Sequence, residues 1–207
     1  MNARILSFRT LLVLALAALP GLHAGAPAPA AAPERHCARP MPAPVLAPEA
    51  GVANHTFKAL SDHEATETAL LDGNLSLTIT HWGCQDLMLT FSVEGKALPD
   101  LTKDAPAGYR EAAAQIRRLA ALKARTGFNL EKTAAALEAA AKKPKGLAYI
   151  RPIVIPGAPM DRITVQGYSK GTLGPRLTFE FMRILPRKKH GVKTVKKVKK
   201  PVHPASR

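Results

Sequence analysis

Between Asn74 and His81 apolar and polar side chains alternate without a break, Leu75, Leu77, Ile79 and His81 against Ser76, Thr78 and Thr80. Successive side chains of an extended chain point to opposite faces, so the pattern predicts a strand with one buried and one solvated side. Leu87, Leu89, Phe91 and Val93 repeat it against Met88, Thr90 and Ser92. The four residues between, Trp82, Gly83, Cys84 and Gln85, suit a hairpin turn in which Gly83 takes positive φ. Cys84 is then expected at a sheet end.

The period changes after Pro99. Residues 107–125 place Ala112, Ile116, Leu119 and Lys123 at helical spacing, and Thr126 with Gly127 supplies a stop. Asn129 is positioned to cap a second helix over 130–142, with an apolar stripe of Leu130, Ala134, Leu137 and Ala141. The two form a short, Ala-rich hairpin. Beyond Pro144 and Gly146 the strand pattern returns over 147–155, 162–168 and 176–184, and Pro152 puts the first of these at an edge or a bulge. In the last, Leu177, Phe179 and Phe181 point inward. The order β-β-α-α-β-β-β predicts an α+β domain: a largely antiparallel sheet with a two-helix hairpin packed on one face.

The N-terminus follows neither period. Arg4 and Arg9 precede an apolar run from Leu11 to Leu19, then Pro20, Gly21 and small residues at Ala24 and Ala26. This is the layout of a cleavable secretory signal over residues 1–26, and the run is about half the ~20 residues that span a bilayer. No second apolar run of that length follows, so the mature chain is expected to lack a transmembrane segment. Prolines at 27, 29, 33, 40, 42, 44 and 48 make residues 27–51 an extended linker. The α+β domain is assigned to 52–186 and a basic tail to 187–207.

Charge sharpens this division. The full chain carries +15; losing Arg4 and Arg9 leaves +13, and the nine bases from Arg187 onward account for all but +4 of that. The tail, with Arg187, Lys188, Lys189, Lys193, Lys196, Lys197, Lys199 and Lys200 and no acid, resists burial. It is expected to adhere to an anionic envelope surface or another polyanion. No aromatic interleaves with its lysines, which argues against specific nucleic-acid binding.

Cys37 and Cys84 are the only two cysteines. In an exported chain they are expected to form a disulfide. The competing reading is a metal site, because His36 adjoins Cys37 and His81 lies three residues before Cys84, a set able to hold Zn or Cu(I) tetrahedrally. Oxidation of the thiols would remove both anionic ligands, and His81 falls on the apolar side of its strand, so no metal or other cofactor is assigned.

Catalytic patterns are weak. Gly167, Ser169 and Gly171 spell G-x-S-x-G, yet Gly174 and Pro175 forbid the helix that a nucleophile elbow requires. Ser61, Asp62 and His63 are sequence neighbours and cannot converge as a triad. Asp100 and Asp104 lie in a loop with no opposing acid. Sequons at Asn54 and Asn74 matter only in a eukaryotic pathway, whereas the Ala, Pro and Arg content leans toward a bacterial periplasm. The expectation is a non-catalytic exported accessory or binding protein, periplasmic or secreted. A metal-binding protein is the alternative, and a hydrolase with an unlocated site the lesser one.

Overall fold

The computed structural model describes residues 40–48 and 51–185. The expected signal segment, His36 and Cys37, and the basic tail lie outside the described residues. Within them the elements are β1 (Val52–Ser61), β2 (Glu64–Leu71), β3 (Leu75–Trp82), β4 (Asp86–Glu94), α1 (Ala105–Ala121), α2 (Leu130–Ala141), β5 (Ile153–Ile155), β6 (Ala158–Lys170) and β7 (Pro175–Ile184). All strands join one antiparallel sheet ordered β1-β2-β3-β4-β7-β6-β5, with the helices on one side. The expected α+β architecture is present. Among the described residues no helix is long and apolar enough to cross a membrane.

The alternating residues build the core. Leu77, Ile79, Phe91, Leu177, Phe179 and Phe181 are fully enclosed, and Phe91 stacks on Phe179 at 5.4 Å between ring centroids. Each such side chain contributes about 1.5–3 kcal/mol of burial. β4 and β7 pair from Asp86↔Ile184 to Glu94↔Arg176, which joins an N-terminal meander to a C-terminal one at the middle of the sheet.

Helix α1 starts where Asp104 accepts the N–H of Ala107 at 2.9 Å, with Pro106 in its first turn. It ends at Leu122, earlier than the stop expected at Thr126, because Lys123 takes a φ of 52° and turns the chain. Asn129 caps α2 through Lys132 N, and Leu130, Ala134, Leu137 and Ala141 are buried as the stripe predicts. Both helices lie over β5, β6 and β7. Gly108 of α1 meets the ring of Tyr149, whose hydroxyl donates to the carbonyls of Leu101 at 2.7 Å and Asp104 at 3.1 Å.

Two strands are additional to those expected. β1 and β2 extend the sheet past β3, and part of their inner face is covered by the segment 40–48, in which Val45 and Leu46 are 1% and 4% exposed. The end of the proline-rich stretch therefore belongs to the folded body. Conversely, β5 is three residues long, because Ile150 takes a φ of 69° and Pro152 and Pro156 bracket the strand. It forms one sheet edge; the other, β1, is broken by two register shifts.

Candidate functional site

On β2 the inner face carries a buried acid. Glu67, at the middle of β2, is fully enclosed, and all its acceptor capacity is taken up. Its carboxylate accepts the N–H groups of Val45 at 2.8 Å and Leu46 at 2.7 Å. His55 Nε2 lies 2.7 Å from Oε1 and His81 Nε2 3.4 Å from Oε2. Burial pushes this carboxyl upward, but the bonds from His81, Val45, Leu46 and His55 together hold it below its ordinary value. Arg125 N donates to Val45 O at 2.7 Å, so the segment is gripped from both sides.

This arrangement accounts for His81 without a metal. His81 is the satisfied core histidine its position on the apolar side implied, edge-on to Phe57 at 5.7 Å. Among the described residues no group of three or more His, Cys, Asp or Glu is arranged to hold a metal. Cys84 lies in the β3–β4 turn at the end of the sheet; Cys37 and His36, its expected neighbours, lie outside the described residues.

The catalytic patterns are absorbed by structure. Ser169 sits within β6, paired with Arg176 across the β6–β7 hairpin, so the strand continues where an elbow would turn. Asp100 accepts both the N–H and the hydroxyl of Thr102, Asp104 caps α1, and His63 lies in the β1–β2 turn with its N–H on Ser61 Oγ. Glu94 accepts Leu173 N and is clamped by Arg176, while Asp161 is held in a two-pronged pair with Arg183 at 2.6 and 2.7 Å. These acids fix hairpins and strand ends.

The opposite face of the sheet is uncovered by either helix, and the register sorts its side chains into rows that run across the strands. One row reads Lys58, Thr66, Thr80, Thr90, Glu180, Thr164 through β1, β2, β3, β4, β7 and β6. The next reads Thr56, Thr68, Thr78, Ser92, Thr178 and Gly167. Some of these hydroxyls bond one another, Thr56 to Thr68 at 2.7 Å and Ser92 to Thr178 at 3.3 Å. On the other side of the first row lies an apolar one: Trp82, Met88, Met182, the stem of Arg162, and Val154.

Three residues tie these rows together. The Trp82 indole N–H donates to Thr90 Oγ1 at 3.1 Å, and the Thr90 hydroxyl donates to Glu180 Oε2 at 3.4 Å. The relay runs over three adjacent strands and holds the indole against the face while leaving it 39% exposed. Burial on the central strand pushes the Glu180 carboxyl up, partly opposed by the Thr90 bond. The alternation of β3 and β4 assigned Thr80 and Thr90 to the solvated side; the alignment with Glu180 is a property of register, which a single strand does not encode. The sequence reading gave Trp82 to the turn, whereas it is the last residue of β3.

Compared with known proteins, the chain matches no family model, no curated protein and no solved structure. The functional reading therefore rests on this geometry and on the chain's own chemistry.

Proposed function

We propose that this chain is a non-catalytic, exported binding protein: an α+β platform that offers the sheet face opposite its helices to a ligand and carries a basic tail that adheres to anionic surfaces. The observation that carries the reading is the two-sidedness of the sheet. One face holds the core, both helices and the segment 40–48, whereas the other presents aligned hydroxyl rows beside an exposed tryptophan. A tryptophan joins a large apolar surface to a hydrogen-bonding N–H, the combination that binding surfaces favour.

Export is supported by the N-terminal pattern of Arg4, Arg9 and the Leu11 to Leu19 run, and by the presence of two cysteines in all. The tail supports the adhesion: eight bases between Arg187 and Lys200 without an acid, each worth about 1 kcal/mol beside an anionic membrane.

The test is co-sedimentation with anionic and neutral lipid vesicles, comparing the mature chain with a chain ending at Pro186. Binding is expected only to anionic vesicles and only with the tail. It should vanish near ~1 M salt, where the Debye length is about 3 Å. Equal sedimentation of both chains would show the tail to be irrelevant.

A further inference from the structure

At the end of the sheet opposite the β3–β4 turn, the β6–β7 hairpin and the chain leaving β4 enclose a cavity of about 470 Å³. That size falls within the range of small-molecule sites, about 300–1,000 Å³. One wall is formed by Lys96, Asp100 and Thr102, the other by the hairpin from Ser169 to Pro175. The hairpin is fixed from beneath by Glu94, which accepts Leu173 N and Arg176 Nε. Gly171 lies so close to that carboxylate, and Gly174 to the Gly95 carbonyl, that a Cβ on either would overlap it. The two walls are also bonded to each other, Gly95 N to Pro175 O at 3.2 Å. The cavity is built on paired backbone, so its walls are set before any ligand arrives.

Two cations line it. Among the described residues neither the Lys96 nor the Lys170 ammonium is in an ion pair or a side-chain hydrogen bond. Glu94 and Arg176 cancel as a pair behind the hairpin. Asp100 is the acid in the lining; it accepts the N–H and the hydroxyl of Thr102 and stands beside Lys103, whose charge offsets its own. Asp104, beyond it, is turned onto the start of α1. The charge left over around the cavity is that of Lys96 and Lys170.

Lys170 pairs with Pro175, and Pro175 is bonded to Gly95, so the two lysines flank β7 from either side. Neighbouring strands lie about 4.8 Å apart, which separates their backbones by about 10 Å and leaves an anion between them within reach of both long side chains. A lysine meets phosphate as a point charge, and two of them balance the nearly double charge of a phosphomonoester. Ser169 and Thr172 add hydroxyl donors, while Leu173, 53% exposed, and Pro175 offer an apolar wall to a carbon skeleton.

We propose that this cavity binds the phosphoryl group of a small phosphomonoester, with Lys96 and Lys170 on its oxygens, the Ser169 and Thr172 hydroxyls completing the contacts and the skeleton against Leu173 and Pro175. The site is separate from the sheet face opposite the helices and from the tail, and rests on neither.

The experiment titrates the isotope-labelled mature chain with glucose 6-phosphate, inorganic phosphate and glucose, following amide NMR shifts. Glucose 6-phosphate is expected to move the amides of Thr102, Lys170, Gly171 and Thr172 saturably. Inorganic phosphate should move the same set more weakly, and glucose should move none. Lys96→Gln and Lys170→Gln should each weaken binding about three- to tenfold, the loss of one exposed charge-assisted contact. Both should leave the unfolding midpoint unchanged, since neither ammonium has a partner to lose. Raising salt from ~0.1 to ~1 M should weaken binding as well. Dihexanoyl phosphatidic acid separates the two sources of such a group: tighter binding than glucose 6-phosphate at the same amides identifies a lipid headgroup, and weaker binding a soluble metabolite.

Shifts confined to residues 187–200 would place the anion on the tail and overturn the inference. So would an absence of shifts from Lys170 to Thr172 with every phosphate probe, an equal response to glucose, or an affinity unchanged in both lysine variants.

Discussion

The backbone N–H of Val45 is bonded to the carboxylate of Glu67 at 2.8 Å, 22 residues away in sequence and inside the core. A proline-rich stretch has few internal hydrogen bonds to offer, so what fixes it must come from elsewhere. Here a single buried acid supplies it, receiving Val45, Leu46, His55 and His81 together.

Replacing Glu67 should therefore release the segment as well as weaken the core. A glutamine has one carbonyl oxygen, and its amide group would face donors, so Glu67→Gln leaves buried N–H groups unsatisfied. The expected loss is about 3 kcal/mol in urea unfolding. Hydrogen exchange at the Val45 and Leu46 amides should accelerate far more than at Phe91. Uniform acceleration at all three would show that the segment is not held locally.

The same acid sets a pH dependence. Its folded value lies below the ordinary 4.5, so its stabilisation is full above that pH and is lost as pH falls through the lower, folded value. Unfolding free energy measured from neutral pH down to ~3 should drop more steeply for the wild type than for Glu67→Gln. Parallel curves would show that the network contributes nothing in acid.

Gly108 sets helix propensity against packing. Alanine at an interior helix position gains up to about 1 kcal/mol. Its Cβ would overlap the Tyr149 hydroxyl, which is anchored by the carbonyls of Leu101 and Asp104 and cannot move without losing both bonds. Overpacking of this kind costs roughly 1–3 kcal/mol, so Gly108→Ala should be net destabilising. Pairing it with Tyr149→Phe should recover part of the loss, and thermal unfolding of the three variants reads both effects.

Cys84, in the turn after β3, is expected to be joined to Cys37. Under denaturing, non-reducing conditions a thiol-reactive probe should label neither residue, and reduction should expose both. Full labelling before reduction would rule out the bond and return the cysteines to the pool of metal ligands.

How much of this was legible in the sequence follows from where polarity and position agree. β3, β4 and β7 alternate cleanly, and each presents to the core the residues its pattern named. Both helices were visible as elements, the second down to its Asn129 cap, whereas the end of the first was set too late, at Thr126 instead of Leu122. β2 went unread because Glu67 occupies an inward position between Ala65 and Ala69, where an acid looks like an outward one. β1 alternates less cleanly still, with Asn54 at a φ of 51° and two shifts of register. The regular spacing of Ala65, Ala69 and Leu71 was the available clue. The outer face was legible only in fragments: each strand announced its threonines, but their alignment into rows depends on pairings between segments as far apart as Thr90 and Glu180.

The pairing of β4 with β7 also governs the order in which the molecule can come into being. Asp86 finds its partner at Ile184 and Glu94 at Arg176, so the central seam closes between segments separated by most of the folded body. Contacts of such long range are slow to form. Before the last strand arrives, the first four can form a meander whose β4 backbone has an unpaired side. The central seam thus cannot close until the segment through Ile184 has been made.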